Sequence, residues 1–202
     1  MPHSPKIGIF LDADGLLWPD KGSGEVLQGL PEAVKRLTEF TNMLGKRDLF
    51  TIIVVTNQTL AARGDICYFR FRMRVREVFK TLIDLNLIDS FKVCFHHPHA
   101  KNIFLRRKNC KCRKPSPGMI LSMTKEFNLN PKRCVLIGDR ITDIAAGHAA
   151  GITLKILINN ANAFEINQGS DGSTDIGELL EFELHRNMLE SVSTIRELKK
   201  ID

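Results

Sequence analysis

The sequence predicts an α/β fold in which a parallel sheet carries helices on both faces. Three observations lead there. Short apolar runs recur along the chain: "IGIFLD" (7–12), "FTIIVVTN" (50–57), "FKVCF" (91–95), "CVLIGD" (134–139) and "TLKILI" (153–158). Segments with helical spacing lie between them: "PEAVKRLTEF" (31–40), the region 69–85, "PGMILSMTKEFN" (117–128) and "DIAAGHAAG" (143–151). Strand alternating with helix is the pattern of parallel strands joined by helical crossovers. Thirdly, Asp12, Thr56–Asn57 and Asp139 all stand at the carboxyl ends of apolar runs, which is where sheets of this kind bind ligands.

One helix needs justification. "FRFRMRVRE" (69–77) alternates apolar residues with arginine, and alone it would read as a strand. In the longer window Phe71, Val75, Val78, Phe79 and Leu82 fall at i, i+4, i+7, i+8 and i+11. That is a helical face, so a helix is predicted with its arginines in solvent; a nucleic-acid-binding stripe is the alternative. The tail from about 160 to 202 holds a Gly/Ser-rich stretch and then "LLEFELHRNMLESVSTIRELKK", read as one or two helices without a motif. A chain of 202 residues suits one domain, 1–202, with a core over about 7–157 and a C-terminal extension.

An apolar fraction of 43% and a charged fraction of 26% are those of an ordinary globular protein. The net charge of +6 favours anionic partners without choosing between nucleic acid, a membrane surface and a phosphorylated metabolite. No apolar run approaches the ~18 residues of a membrane span, and Asp12 and Asp14 break the N-terminal run. A cytoplasmic monomer with no membrane partner is expected. Cysteines at 67, 94, 110, 112 and 134 make an odd number. In a reducing compartment metal binding explains their clustering better than disulfides do.

Four short motifs carry chemistry. In "FLDADG" a strand ends in Asp12 and Asp14, and Gly15 permits the turn that would bring both acids to one site. One carboxylate can attack phosphorus while the other protonates the leaving oxygen; an Asx-turn is the plainer reading. Thr56 and Asn57 end the next strand with groups able to bind phosphoryl oxygens, or to cap a helix. Lys114, before Pro115, could neutralise both carboxylate and phosphate, or lie in solvent. Asp139 ends a strand with oxygen donors that suit magnesium. Asp143, four residues on, is better explained as a helix N-cap.

In this order, D-x-D-G, T-N, K-P and G-D-x-x-x-D resemble the haloacid dehalogenase (HAD) superfamily of phosphohydrolases over about residues 7–157. The resemblance implies a Rossmann-like sheet, with Asp12 as nucleophile and Asp14 as general acid and base. It implies that Thr56 and Lys114 bind the phosphoryl group, and that Asp12, Asp139 and the Asp14 carbonyl hold Mg2+. The spacing leaves no room for a lid domain, so a capless site covered by loops is expected.

Cys94-x-His96 and Cys110-x-Cys112, within "VCFHHPHAKNIFLRRKNCKCRKP", supply three thiolates and one imidazole. This is a closed tetrahedral set for a structural Zn2+, forming a zinc loop over 94–112, although His97 or His99 could substitute. Within the superfamily, "HHP", "ARG" and "RKPSPGM" resemble the heptose bisphosphate phosphatases and the related histidinol-phosphate phosphatases. That resemblance implies that Arg113 and Arg140 contact substrate and that the loop after Asp20 helps cover it. The family usually has Arg where this chain has Ala13, and its loop after Gly15 is longer and less apolar than "LLWPDKGSG". Both departures bear on the sugar more than on the reaction. The expected function is therefore a magnesium-dependent sugar-bisphosphate phosphatase acting on a small phosphorylated metabolite rather than nucleic acid. Histidinol phosphate is the alternative substrate, and a DNA-end phosphatase or a non-catalytic zinc-stabilised module is a more distant reading.

Overall fold

The computed structural model describes residues 6–19, 25–64, 66–158, 183–185 and 188–197. The strands are β1 (Ile7–Leu11), β2 (Phe50–Asn57), β3 (Ser90–Cys94), β4 (Val135–Gly138), β5 (Leu154–Ile158) and β6 (Glu183–His185). They form one sheet in the order β3-β2-β1-β4-β5-β6, and every neighbouring pair is parallel. The helices are α1 (Leu30–Leu44), the single turn α2 (Leu60–Arg63), α3 (Tyr68–Asp84), α4 (Gly118–Glu126), α5 (Ile141–Ala149) and α6 (Ser191–Glu197).

Period-two alternation in the strands divides the core into two layers. Ile9, Leu11, Ile52, Val54, Val135 and Ile137 face one side, where they pack with α1, α3 and α6. Phe10, Ile53, Val55 and Leu136 face the other, where Met119, Ile120 and Met123 of α4 and Ile144 of α5 cover them. Each such side chain, fully buried, is worth about 1.5–3 kcal/mol. The sheet is therefore a stiff base for whatever its strand ends carry.

The ambiguous segment is helical. Phe71, Val75, Val78, Phe79 and Leu82 are the buried residues of α3, while Arg70, Arg72, Arg74 and Arg76 are exposed. The helix leaves Phe69 and Met73 in solvent, at 69% and 58% exposure. Burial of the larger face, continued to Leu82, outweighs that cost.

The C-terminal tail departs from expectation. Glu183–His185 adds a sixth parallel strand to β5 where a helix was anticipated. The open edge of β5 offers unpaired N–H and C=O groups, which a strand satisfies and a helix does not. The second predicted helix is present as α6, which sends Val192 and Ile195 into the α1-side core. The expected cover from the loop after Asp20 falls on residues 20–24, and most of the tail falls on 159–182; both lie outside the described residues. Among the described residues, the connections after β1 and β2 contain no lid domain. None of their helices is long and apolar enough to cross a membrane.

Candidate active site

The register of β1 with β2 and β4 brings three strand ends together. The Asp12 amide donates to the Ile137 carbonyl at 2.9 Å, so the ladder continues one residue beyond β1 and fixes the direction of the Asp12 side chain. The chain then turns at Gly15, whose φ is +80°. A Cβ at that position would overlap the Asp139 carboxylate. Glycine is required there both for conformation and for space. Gly15→Ala is expected to push Asp139 aside and cut turnover at least 10-fold; a variant with parental kcat would show that the close approach is not needed.

The turn presents Asp14 to two donors. The Trp18 indole N–H donates to Oδ1 at 2.7 Å, and the Gln58 amide donates to Oδ2 at 2.9 Å and to Thr56 Oγ at 3.1 Å. Asn57 is tied to the backbone of Lys114 in both directions: its Nδ2 donates to the Lys114 carbonyl, and its Oδ1 accepts from the Lys114 amide, each at 3.1 Å. This reciprocal pair docks the segment after the Cys-x-Cys hairpin onto the end of β2.

Lys114 is 4% exposed. Its ammonium lies 2.6 Å from Asp12 and 2.5 Å from Asp143, and it donates to the Val55 carbonyl at 2.9 Å. Burial alone would lower its pKa, but the two carboxylates more than offset that and hold it above the usual lysine range. Asp143 is not the N-cap expected of it: Arg140 holds that position and Asp143 is the third residue of α5, where one oxygen accepts from the Arg140 amide at 3.1 Å and the other faces Lys114. Burial, then the charge of Asp12, pushes Asp143 up to about 6. Burial, then Asp12 and Asp143, pushes Asp139 up to about 8.

Asp12, Asp139 and Asp143 each offer a carboxylate oxygen within 4.8 Å of the others. Asp139 Oδ1 is buried and, among the described residues, has no hydrogen-bond partner. An orphaned buried carboxylate oxygen beside two more carboxylates is a costly arrangement for the protein alone. It fits a hard, oxygen-seeking divalent cation such as magnesium.

The predicted residues Asp12, Asp14, Thr56, Asn57, Arg113, Lys114 and Arg140 line one cavity of about 270 Å³. The predicted Asp139 is not in the lining but stands beside two lining residues, Asp12 and Asp143. Arg63 and Asp143 share the lining and were not anticipated as site residues, nor were Trp18 and Gln58 as partners of Asp14. Asp143 had a signal, its four-residue spacing from Asp139, which a capping role already explained. Arg63 had a signal in the "ARG" stretch, which was given no role; Gln58 and Trp18 belong to no donor pattern and needed the fold to place them.

Beside this cavity, the Cys94, Cys110 and Cys112 sulfurs and His96 Nδ1 stand 3.0–3.7 Å apart in all six pairings. A zinc–sulfur bond of about 2.3 Å implies tetrahedral edges near ~3.8 Å, so the cluster has the size and the soft donors for zinc. His97 and His99 are turned toward each other, with ring centroids 6.0 Å apart, and stand outside the set. Burial pushes the Cys94 and Cys112 thiols up; a cation would reverse that cost by binding them as thiolates. The hairpin is also fastened by the Gly118 amide, which donates to the Lys111 carbonyl at 3.0 Å, and by Arg113, which donates to the His96 carbonyl at 3.2 Å.

Comparison with known proteins follows this geometry. A family model described as HAD-hydrolase-like matches residues 111–160. The D-glycero-β-D-manno-heptose-1,7-bisphosphate 7-phosphatase of Escherichia coli K12 is 31% identical over 157 residues, covering 74% of this chain and 78% of its own. The chain belongs to the HAD-type heptose bisphosphatase family. The Pasteurella multocida 7-phosphatase is 30% identical over 183 residues, covering 87% of this chain and 92% of its own. A D,D-heptose 1,7-bisphosphate phosphatase from B. bronchiseptica, crystallised with magnesium and phosphate, superposes with a TM-score of 0.66 at 21% identity over 95% of this chain and 98% of that one. A putative HAD-like phosphatase from Mesorhizobium loti gives 0.68 at 22% identity over 96% and 88%. At such identity the superpositions speak for the fold. This heptose bisphosphatase relative is accordingly a phosphatase, a phosphoric monoester hydrolase of HAD type.

Proposed function

We propose that this phosphatase hydrolyses a sugar bisphosphate, D-glycero-D-manno-heptose 1,7-bisphosphate at its 7-phosphate, through an aspartyl-phosphate on Asp12. The observation that carries the reading is the placement of Asp12: buried, at a strand end, paired with Lys114, and facing a cavity lined by Arg63, Arg113 and Arg140. A carboxylate held this way has one oxygen for the cation side and one for an incoming phosphorus.

In the first step an Asp12 oxygen forms a bond to phosphorus as the bond from phosphorus to the sugar oxygen breaks. The Asp14 carboxyl gives its proton to that oxygen, and the alcohol leaves. In the second step the Asp14 carboxylate takes a proton from water, whose oxygen attacks the aspartyl-phosphate. Inorganic phosphate departs and Asp12 is a carboxylate again. Thr56, Asn57, Lys114 and the three arginines bind the phosphoryl oxygens and hold them in line. Magnesium, held by Asp12, Asp139 and the Asp14 carbonyl with Asp143 adjacent, would neutralise charge on the transferring group. Zinc on Cys94, His96, Cys110 and Cys112 would be structural, fixing the hairpin that delivers Arg113 and Lys114.

Magnesium affinity should depend on pH with a definite sign. The folded protein keeps a proton on Asp139 up to about pH 8, whereas an unfolded chain loses it near pH ~4. Without metal, stability therefore falls as pH rises across that window. Magnesium must displace the proton, so its affinity is expected to rise between pH 6 and 8 with release of up to about one proton per ion. Calorimetry in two buffers of different ionisation enthalpy measures this, and a flat profile would remove Asp139 from the ligand set. For the substrate, kcat/KM on heptose 1,7-bisphosphate and on histidinol phosphate should be measured side by side. A preference for histidinol phosphate would overturn the sugar assignment while leaving the chemistry.

A further inference from the structure

The chain's only tryptophan, Trp18, is fully buried and reaches the half-buried Asp14. The loop that carries it is unusually well secured. Trp18 and Asp14 form an isolated backbone bridge, the Gly15 amide donates to the Trp18 carbonyl at 2.9 Å, and Arg36 of α1 donates to the Leu16 carbonyl at 2.8 Å. The indole lies against Phe79 of α3, ring centroids 6.0 Å apart, and against Gly29, where a Cβ would come within 2.7 Å of the ring. The ring is thus fixed by α3 and the start of α1, and its N–H points at Asp14 Oδ1 from a core position.

The other oxygen has a different environment. Oδ2 accepts from Gln58, whose amide also reaches the Thr56 hydroxyl, and Thr56 lines the catalytic cavity. An indole N–H is a donor only and does not titrate. It cannot pass a proton to or from Oδ1, but it can fix which way the carboxyl faces.

We infer that Trp18 is a positioning residue for Asp14: the indole anchors Oδ1, so that Oδ2 is the oxygen that exchanges the proton with the leaving alcohol and with water. This rests on the reading of Asp14 as general acid and base. The device belongs to this chain's own "LLWPD" loop, and it couples the core packing of α1 and α3 to proton transfer.

The experiment compares the first step, read as pre-steady-state release of the leaving group, on a sugar phosphate, whose alkoxide needs a proton, and on p-nitrophenyl phosphate, whose leaving group does not; the second step uses Asp14 equally on both. Trp18→Phe is expected to lower the first-step rate on the sugar phosphate about 10-fold or more and to change that on p-nitrophenyl phosphate less than about 3-fold. Because the ring is buried, the same comparison is made with β-(3-benzothienyl)alanine at position 18, which keeps the shape and replaces N–H by sulfur. Equal losses on both substrates with this isostere would make Trp18 merely structural and overturn the inference. Asp14→Asn tests the underlying reading separately: a first-step loss confined to the sugar phosphate supports it, and an equal first-step loss on both substrates overturns it. The anchoring contact has its own readout, because Asp14→Ala should shift the emission maximum of the sole tryptophan. An unchanged spectrum would overturn the contact whichever way the kinetics fall.

Discussion

Asp12→Asn is expected to abolish phosphate release, lowering kcat by about 10⁴-fold or more, as removal of a covalent nucleophile does. The amide is isosteric with the carboxylate, so packing at the end of β1 survives. The Asp12 amide remains bonded to Ile137, and Lys114 retains Asp143 as its ion-pair partner. One like charge beside Asp139 and Asp143 also disappears, and both carboxylates carry that repulsion in the parent protein. Thermal stability is therefore expected to stay within a few degrees of the parent, or to rise. The measurement pairs a phosphate-release assay with a thermal melt. A folded Asp12→Asn protein that still turns over would eliminate the aspartyl-phosphate mechanism.

Cys112→Ser, or removal of zinc by a chelator, should give the second largest effect. Cys112 immediately precedes Arg113 and Lys114, and its sulfur stands 3.0 Å from Cys94 and 3.2 Å from Cys110. Loss of one thiolate opens a closed four-ligand set. The hairpin is then held mainly by the Asn57–Lys114 pair, the Arg113–His96 bond and the Gly118–Lys111 bond. These are contacts of about 1 kcal/mol each. Cys94 belongs to the α4-side core layer, and Cys110 and Cys112 pack against it, but the strands and helices that make up most of both layers lie elsewhere, so the sheet is expected to fold with reduced stability while kcat/KM falls about 100-fold through loss of positioning. Elemental analysis should find one zinc per chain in the parent and none in the variant. Full activity in zinc-free protein would break the proposed link from zinc to Lys114.

The site's parts were readable in the sequence to different degrees. Strand ends were legible because a short apolar run closing on Asp12, Thr56 or Asp139 needs only local pattern. The Cys/His cluster proposed to hold zinc was legible because metal geometry imposes spacing on sequence. Asp143 was half legible: capping is local, but its ion pair with Lys114 joins residues 29 apart in sequence order through the fold. Trp18 and Gln58 were illegible as partners of Asp14, since the turn at Gly15 and the β1–β2 pairing set that contact together. The strand at 183–185 was hidden for a related reason. What makes it a strand is the open edge of β5, not the composition of the tail.

The carboxylates beside Lys114 also couple a bound cation to a bound phosphate. Asp12 and Asp143 pair with Lys114 and Asp139 stands beside them, so next to Asp12 a phosphate dianion meets two carboxylates against one ammonium, with the arginines of the lining farther out. A divalent cation bound there in place of the Asp139 proton would bring that group of charges to neutral. Cation and phosphate therefore recruit one another, and by thermodynamic reciprocity each must tighten the other by the same factor. On the proposed magnesium reading, the cation would bind more tightly beside phosphate and would be lost most readily once phosphate has gone.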